Sequence, residues 1–196
     1  FVNTTASGQN EYRIPNGFTE PVQTVRQSGG KALLSVYADN ADGSLAQILS
    51  SAELRSEAVQ QIAKTAAYAE KNGENTSFHG VVIDFETLRS GQKANFTLFL
   101  QELRSAMGAS PIYVAVHPVM QGSAHYDGYD YASIGRIADR VILMAYDYDP
   151  ASLTDTEMAQ GYTMTPMAPL NQVYIAINAC LDGGIPANKL LLGLSM

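Results

Sequence analysis

Five short apolar runs recur along the chain, and amphipathic stretches separate them. The runs occupy residues 31–38, 79–86, 111–119, 139–147 and 188–196. Each run is continuously apolar and includes β-branched residues, a pattern typical of parallel strands that helices cover on both faces. We therefore predict a strand at each run.

Amphipathic helices are predicted between these strands. In the longest, 52–71, Leu54, Val59 and Ile62 recur near the 3.6-residue period, and Gly73 follows as a stop signal. The other helices are predicted at 19–28, 92–107, 129–138 and 168–183. Strands and helices that alternate at this spacing indicate repeated βαβ units with right-handed crossovers.

Two α/β architectures fit the alternation, a doubly wound open sheet and a (β/α)8 TIM barrel. A barrel usually needs about 250 residues, and this chain has 196. Length alone therefore favours the open sheet, or a barrel that lacks some of its strands. Because no linker or low-complexity tract interrupts the alternation, the whole of 1–196 is predicted to be a single domain.

Composition narrows the range of partners. The formal net charge of −7 and the pI of about 4.8 argue against nucleic acid or an anionic membrane as a partner. No window reaches the ~20 apolar residues of a membrane span, and the first residues lack the basic and apolar regions of a signal peptide. Cys180 is the sole cysteine, which excludes an internal disulfide. We expect it to be a small core residue.

Two carboxylates end the second predicted strand. Since alternate side chains of a strand share a face, Asp84 and Glu86 point to the same side, and Ile83 and Phe85 point to the other. Like charges this close cannot both ionise freely, so the pKa of one carboxyl is expected to rise. Such a pair suits acid–base catalysis at neutral pH. The alternative is two solvated acids at a strand end.

A second strand end carries similar chemistry. In the run 139–147, the positions Met144 and Tyr146 share a face, and Asp147 follows them. The Tyr146 hydroxyl can donate to a substrate carbonyl, and Asp147 can accept from an amide or hydroxyl. A lone Tyr-Asp pair at a strand end is usually structural, but two such ends in one parallel array look like one site.

Two further strands offer candidates with weaker signals. His117 lies near the end of the run 111–119, Tyr37 lies near the end of the run 31–38, and Asp39 directly follows that run. His117 is either a ligand contact or a satisfied core histidine, and the same ambiguity applies to Tyr37 and Asp39. The chain has three histidines and scattered acids, which leaves a metal site unsupported. No phosphate-binding loop or Ser-His-Asp spacing is present.

Two motifs together resemble glycoside hydrolase family 18, the chitinase-like barrels. The stretch with Gly80, Asp84 and Glu86 is similar to the family's fourth-strand signature, D-G-x-D-x-D-x-E. The stretch Met144, Ala145, Tyr146, Asp147 resembles its M-x-Y-D at the end of the sixth strand. The runs 31–36 and 184–196 resemble the third and seventh strands, and 165–186 is similar to the branch of bacterial cell-wall and spore-cortex N-acetylglucosaminidases.

The chain departs from the family pattern in three respects. His79 and Val82 stand where the signature has aspartates, which shortens the Asp relay beneath the catalytic pair. The chain has no tryptophan, although one usually floors the sugar site. By resemblance it starts at the end of the second barrel strand, residues 1–5, and stops at the seventh. The expectation is an incomplete (β/α)8 barrel with strands 2 to 7.

The resemblance implies a retaining mechanism in which the substrate's own N-acetyl group is the nucleophile. By resemblance, Glu86 protonates the glycosidic oxygen, Asp84 orients the acetamide, and Tyr146 holds the acetamide carbonyl. The implied substrate-binding residues are Asp147, Met144, His117 and Tyr37. No metal or organic cofactor is implied.

The resemblance also implies a substrate and a location, and two alternative functions remain open. The expected substrate is a β-1,4-linked N-acetylglucosamine polymer, peptidoglycan or spore cortex first and chitin second. The expected location is secreted, cell-surface or spore-associated, with room for flanking cell-wall-binding domains. One rival is a chitinase-like lectin, against which the presence of Glu86 argues. The other is an open-sheet α/β binding domain without sugar chemistry.

Overall fold

The structure is a computed structural model. It describes residues 2–4, 10–12, 17–67, 77–120, 126–148, 153–163 and 167–194. These residues form seven strands and seven α-helices. In chain order they are β1 (Val2–Thr4), β2 (Asn10–Tyr12), α1 (Thr19–Gln27), β3 (Leu33–Asp39), α2 (Ser44–Ser50), α3 (Ala52–Ala66), β4 (Gly80–Glu86), α4 (Lys93–Met107), β5 (Ile112–Val116), α5 (Tyr131–Ile137), β6 (Arg140–Leu143), α6 (Asp155–Ala159), α7 (Leu170–Asp182) and β7 (Leu190–Leu192). Short 3₁₀ turns precede α4 and β7.

The main sheet consists of five parallel strands in the order β3-β4-β5-β6-β7. Each strand pairs with the next strand of the sheet along the chain, and helices lie in the connections. This arrangement confirms the predicted α/β class and the βαβ units. Because all five strands run the same way, their carboxyl ends lie at one edge of the sheet.

The predicted strands all exist but are shorter than the apolar runs. The runs 111–119 and 139–147 pair only over Ile112–Val116 and Arg140–Leu143, and the run 188–196 begins with a 3₁₀ turn before β7. An apolar run continues wherever the chain is buried, whereas a strand ends where its ladder of hydrogen bonds ends. The predicted strand bounds were therefore too wide.

The five predicted helices are confirmed with small changes in their ends. Helix α3 follows the N-cap Ser51, whose side chain accepts from the N–H of Leu54 at 3.3 Å, and residues 68–71 of the prediction lie outside the described residues. Helices α2 and α6 were not predicted. The start of α2 is capped by Asn40 and Asp42, whose side chains accept from Ala46 N and Ser44 N.

Residues 2–4 belong to a hairpin at the start of the described chain. They were predicted to be the end of a barrel strand that precedes β3. Strand β1 pairs antiparallel with β2 in a separate two-stranded sheet, with Asn3 opposite Glu11, and it also lies close to β3. The hairpin satisfies backbone groups of both segments, and the barrel strand stays a prediction.

The core beneath β4 is built from aromatic rings. Phe85 points away from the carboxylates and lies 5.0 Å from Phe99 and 5.8 Å from Phe96, between ring centroids. All three are buried, as are Val81 and Ile83 on the same face of the strand, whereas Asp84 and Glu86 are partly exposed. The predicted alternation of the two faces is confirmed.

Loss of one of these rings should be far costlier than loss of a neighbour on the helix surface. Phe99 is 0% exposed and Leu98 is 43% exposed. We expect Phe99→Ala to lower the free energy of unfolding by about 3–5 kcal/mol, and Leu98→Ala to lower it by less than about 1 kcal/mol. Urea unfolding of both variants would measure the difference. Equal losses would contradict the assignment of Phe99 to the core.

Gly80 sets the approach of β4 to β5. A Cβ at this position would lie 2.2 Å from the backbone oxygen of Pro111, so only glycine fits. The close approach allows the N–H of Val81 to donate to that same oxygen at 2.9 Å. The register that follows places the carboxylates of β4 beside the end of β5.

Candidate active site

The carboxyl edge of the sheet brings together the strand ends that the sequence singled out. In the β3–β4 register, Tyr37 lies opposite Asp84, and Asp39 lies opposite Glu86. In a parallel pair, side chains in register lie side by side on the same face of the sheet. Two acids and a tyrosine from the sequence prediction therefore share one surface, with Asp39 beside them.

Asp84 is the carboxyl of the pair whose pKa is raised. Burial raises the pKa of Asp84 above its ordinary value, the negative charge of Glu86 raises it further, and His117 opposes the rise. Its Oδ1 atom is buried and has no hydrogen-bond partner among the described residues. The predicted rise is confirmed for one member of the pair. A buried acceptor without a donor is costly, and a substrate N–H would satisfy it.

Glu86 lies beside the end of the neighbouring strand. Its Oε2 atom is 3.6 Å from Nε2 of His117, which follows β5. The two side chains are 27% and 24% exposed. Both side chains therefore reach solvent at the edge of the sheet, and His117 lies beside the acids.

Tyr146 joins the site from beyond the end of β6. The chain stays against β5 for one more residue, because the N–H of Met144 donates to the oxygen of Val116 at 3.0 Å. Burial raises the pKa of Tyr146, and the charges of Asp84, Asp147 and Glu86 add to the rise. The hydroxyl therefore lies within electrostatic reach of the acids and stays protonated as a donor.

Tyr37 contributes a second hydroxyl from the other side of β4. Burial raises the pKa of Tyr37, and Glu86, Asp39 and Asp84 raise it further. The site thus has two acids on β4, one tyrosine on β3 and another beyond the end of β6. Of the remaining predicted residues, Met144 is buried, and Asp147 is exposed.

The backbone turns sharply after both chemically active strand ends. Thr87 follows Glu86 with φ +56°, and Asp147 follows Tyr146 with φ +54°. Left-handed backbone is uncommon for residues other than glycine, and is rarer still for a β-branched residue such as threonine. The turn at Thr87 directly follows the end of β4, and the turn at Asp147 lies beyond the end of β6, directly after Tyr146.

The comparison with known families agrees with this geometry. The model of Glycosyl hydrolases family 18 matches residues 2–196. The chain belongs to glycosyl hydrolase family 18. The family resemblance that the two motifs carried is thereby confirmed.

Individual family members resemble parts of the chain. It is 30% identical over 128 residues to Chitinase 1 of Aphanocladium album, an alignment that spans 60% of this chain and 30% of that protein. It is 27% identical over 131 residues to the cortical fragment-lytic enzyme of Bacillus subtilis, across 63% of this chain and 27% of that protein. The chain therefore covers less than a third of either relative.

A solved structure of the family shows the same fold. A class V chitinase from Pseudomonas fluorescens Pf-5 superposes with a TM-score of 0.78 at 20% identity, over 98% of this chain and 58% of that one. At this identity the match is evidence of the fold. It agrees with the parallel sheet and the crossover helices described above.

One weaker candidate lies away from the family 18 site. His79 precedes β4, and its Nδ1 atom accepts from the N–H of Ala32 at 3.1 Å. Seven residues of strand separate it from Glu86, a distance of roughly 23 Å. His79 is therefore a structural residue at the amino end of the sheet.

Sequence reasoning missed a buried tyrosine behind the acids. Tyr129 is 3% exposed, and the charges of Glu86 and Asp84 contribute to the rise in its pKa, after burial. It was assigned to the predicted helix 129–138, but α5 begins after Asp130, whose side chain accepts from Ser133 N at 3.0 Å. A large apolar residue just before an N-cap is the one local signal that marks it.

The described residues contain neither a metal-binding cluster nor a membrane-spanning helix. Among the described residues, no group of three or more His, Cys, Asp and Glu side chains has the arrangement of a metal site. None of the described helices is long and apolar enough to cross a membrane.

Proposed function

We propose that this chain is the catalytic part of a glycosidase that hydrolyses β-1,4-linked N-acetylglucosamine polymers with retention of anomeric configuration. One observation carries the proposal. In a chain of glycosyl hydrolase family 18, Asp84 and Glu86 lie together at the carboxyl edge of the sheet, within electrostatic reach of Tyr37 and Tyr146. That arrangement can supply a proton and surround a cationic intermediate.

Glu86 is the proton donor of the proposed first step. Its proton passes to the glycosidic oxygen as the bond from that oxygen to the anomeric carbon breaks. The carbonyl oxygen of the substrate's own acetamide forms the new bond to the anomeric carbon, which gives an oxazolinium ion. Glu86 is partly exposed at the site edge, where a polymer has access to it.

Asp84 and Tyr146 act on the acetamide group. Asp84 accepts from the acetamide N–H, which supplies a partner for its buried Oδ1 atom, and its negative charge stabilises the oxazolinium. The Tyr146 hydroxyl donates to the acetamide carbonyl and aims it at the anomeric carbon. The raised pKa of Tyr146 keeps this donor protonated.

The second step restores the enzyme. Glu86, now a carboxylate, takes a proton from a water molecule that attacks the anomeric carbon. The bond to the acetamide oxygen breaks, and the two inversions give net retention. Asp147, Met144, His117 and Tyr37 are the proposed sugar contacts around this centre. The proposed reaction uses no metal or organic cofactor.

The substrate and location are inferred from the relatives. The name of one matched protein points to spore cortex and that of another to chitin. We place peptidoglycan or spore cortex first and chitin second. These polymers lie outside the cytoplasm, so the proposed site of action is secreted, cell-surface or spore-associated. Flanking domains that bind the cell wall would fit this setting.

The five-stranded sheet is proposed to be part of a (β/α)8 barrel within one catalytic domain. Strand β7 forms an edge of the described sheet, and Leu191, Leu192 and Leu194 are exposed there. An exposed apolar edge is a hazard that barrels remove by closure. The chain spans 58% of the family structure that it matches. Further strands beside β3 and β7 would complete the barrel.

The test is the release of reducing sugar by the full-length protein. Peptidoglycan, spore cortex and chitin oligomers would be compared as substrates, with the anomer of the product followed by NMR. Release from one polymer with retained configuration would support the proposal and name the substrate. Binding without release would identify a lectin instead, and absence of both would reject a function on these glycans.

Gly193 offers a prediction about Tyr146. A Cβ on Gly193 would lie 2.6 Å from Cε1 of Tyr146, so Gly193→Ala must displace the ring. Because misplacement of a catalytic group by ~1 Å costs up to about 100-fold, we expect kcat to fall roughly 10-fold or more. Gly91→Ala is the matched control, since its Cβ would meet no atom within 4 Å. Equal activity in both variants would contradict this role for Gly193.

A further inference from the structure

The ladder between β4 and β5 stops before the strands reach the site. In their register, Val81 lies opposite Ile112, and Ile83 lies opposite Val114. The N–H of Val81 donates to the oxygen of Pro111, which fixes the phase of the parallel ladder. If the ladder continued by two residues, its next hydrogen bond would join the N–H of His117 to the oxygen of Phe85. The strands are not paired there.

The hydroxyl of Tyr129 occupies that position in the ladder. It donates to the oxygen of Phe85 at 2.9 Å and accepts from the backbone N–H of His117. Two hydrogen bonds in series thus replace one, which holds the oxygen of Phe85 and the nitrogen of His117 roughly 5 Å apart instead of ~3 Å. Phe85 precedes Glu86 directly, so the hydroxyl acts on the backbone of both residues that make the 3.6 Å contact.

The packing of Tyr129 fixes where this hydroxyl lies. The ring meets Phe96 edge to face, with centroids 6.0 Å apart. The preceding Gly128 lies so close to Leu88 that a Cβ would be 2.5 to 2.7 Å from its Cβ, C and O atoms. The loop therefore rests directly on the chain that leaves β4. Burial raises the pKa of Tyr129, which keeps the hydroxyl protonated as a donor.

We propose that Tyr129 is a positioning residue for the glycosidase reaction, because its hydroxyl replaces the last rung of the β4–β5 ladder and sets the spacing between Glu86 and His117. The inference rests on the proposed function. Tyr129 does not contact substrate in this view. It fixes the distance between the proton donor and the end of β5.

The kinetic test compares two buried tyrosines in the full-length protein. Tyr129→Phe keeps the ring and removes the bridging hydroxyl. Tyr148→Phe is the matched control, since Tyr148 is 4% exposed and its hydroxyl has no hydrogen-bond partner among the described residues. We expect Tyr129→Phe to lower kcat about 10- to 100-fold with KM within about 3-fold, and Tyr148→Phe to match the wild type. Equal kcat in the two variants would overturn the proposal.

A second measurement does not depend on activity. Amide hydrogen exchange, followed by NMR, should be about 10-fold faster or more for His117 in Tyr129→Phe, and unchanged for Val81 at the other end of the same ladder. Unchanged exchange at His117 would overturn the proposed bridge. If the wild type cleaves no glycan, the proposed function fails, and the exchange at His117 still decides whether the hydroxyl holds the strands.

Discussion

Glu86→Gln is expected to lower kcat/KM about 10²- to 10⁴-fold, the range typical of general acid–base catalysis. Glutamine keeps the size of the side chain but has no proton to give to the glycosidic oxygen and cannot take one from water. Glu86 is partly exposed and makes no buried ion pair with Lys or Arg among the described residues, so the fold should be retained. The measurement is reducing-sugar release together with binding of chitin oligomers.

Glu57→Gln is the control for this experiment. Glu57 is exposed on α3 and is not among the candidate site residues, so Glu57→Gln should retain wild-type activity. The binding of oligomers by Glu86→Gln should stay within about 10-fold of wild type, because the variant loses little besides the proton transfer. Full activity of Glu86→Gln would contradict the proposed mechanism, even if the glycan were confirmed as the ligand.

Asp84→Asn is expected to lower kcat about 10²- to 10³-fold, the range for loss of one preorganised electrostatic contact. The same variant should be more stable than the wild type, by roughly 1–3 °C in Tm at neutral pH. The reason is that ionised Asp84 is partly buried, faces Glu86, and has an oxygen without a partner. Asparagine removes the repulsion. A destabilised and inactive variant would indicate a structural role instead.

The stability difference should depend on pH with a definite sign. The folded-state pKa of Asp84 is raised above its ordinary value of 3.8. The stability that this group contributes is therefore fully present below pH 3.8 and is lost as the pH rises through the folded-state pKa. Tm measured against pH should give curves for wild type and Asp84→Asn that converge in acid and separate towards neutral pH.

Much of the fold could be predicted because the spacing of apolar residues in the sequence follows the pattern of burial in the structure. The strands are continuous apolar runs, and Phe96, Phe99 and Leu103 recur at helical spacing on α4. Helix α2 escaped prediction because it is short and its start depends on the caps from Asn40 and Asp42 more than on a periodic apolar face.

The candidate site divides in the same way. Asp84, Glu86 and Tyr146 could be predicted, since strand parity and two motifs mark them. Tyr129 could not, because its role depends on a gap between two strands that are far from it in the sequence. Local patterns say which residue is buried, but they do not say which backbone groups lack a partner nearby.

Thr87 and Asp147 mark the boundary between the candidate catalytic residues and the loops that follow them. Each residue adopts a left-handed backbone conformation directly after Glu86 or Tyr146. Changes further along these two loops therefore reshape the rim without shifting the strand ends. For evolution or for engineering, this means that glycan preference and catalytic power can vary independently. The buried residues Leu88 and Tyr148 follow the two turns. Sequence libraries at positions beyond them would test new polymer specificities while the reacting groups stay in place.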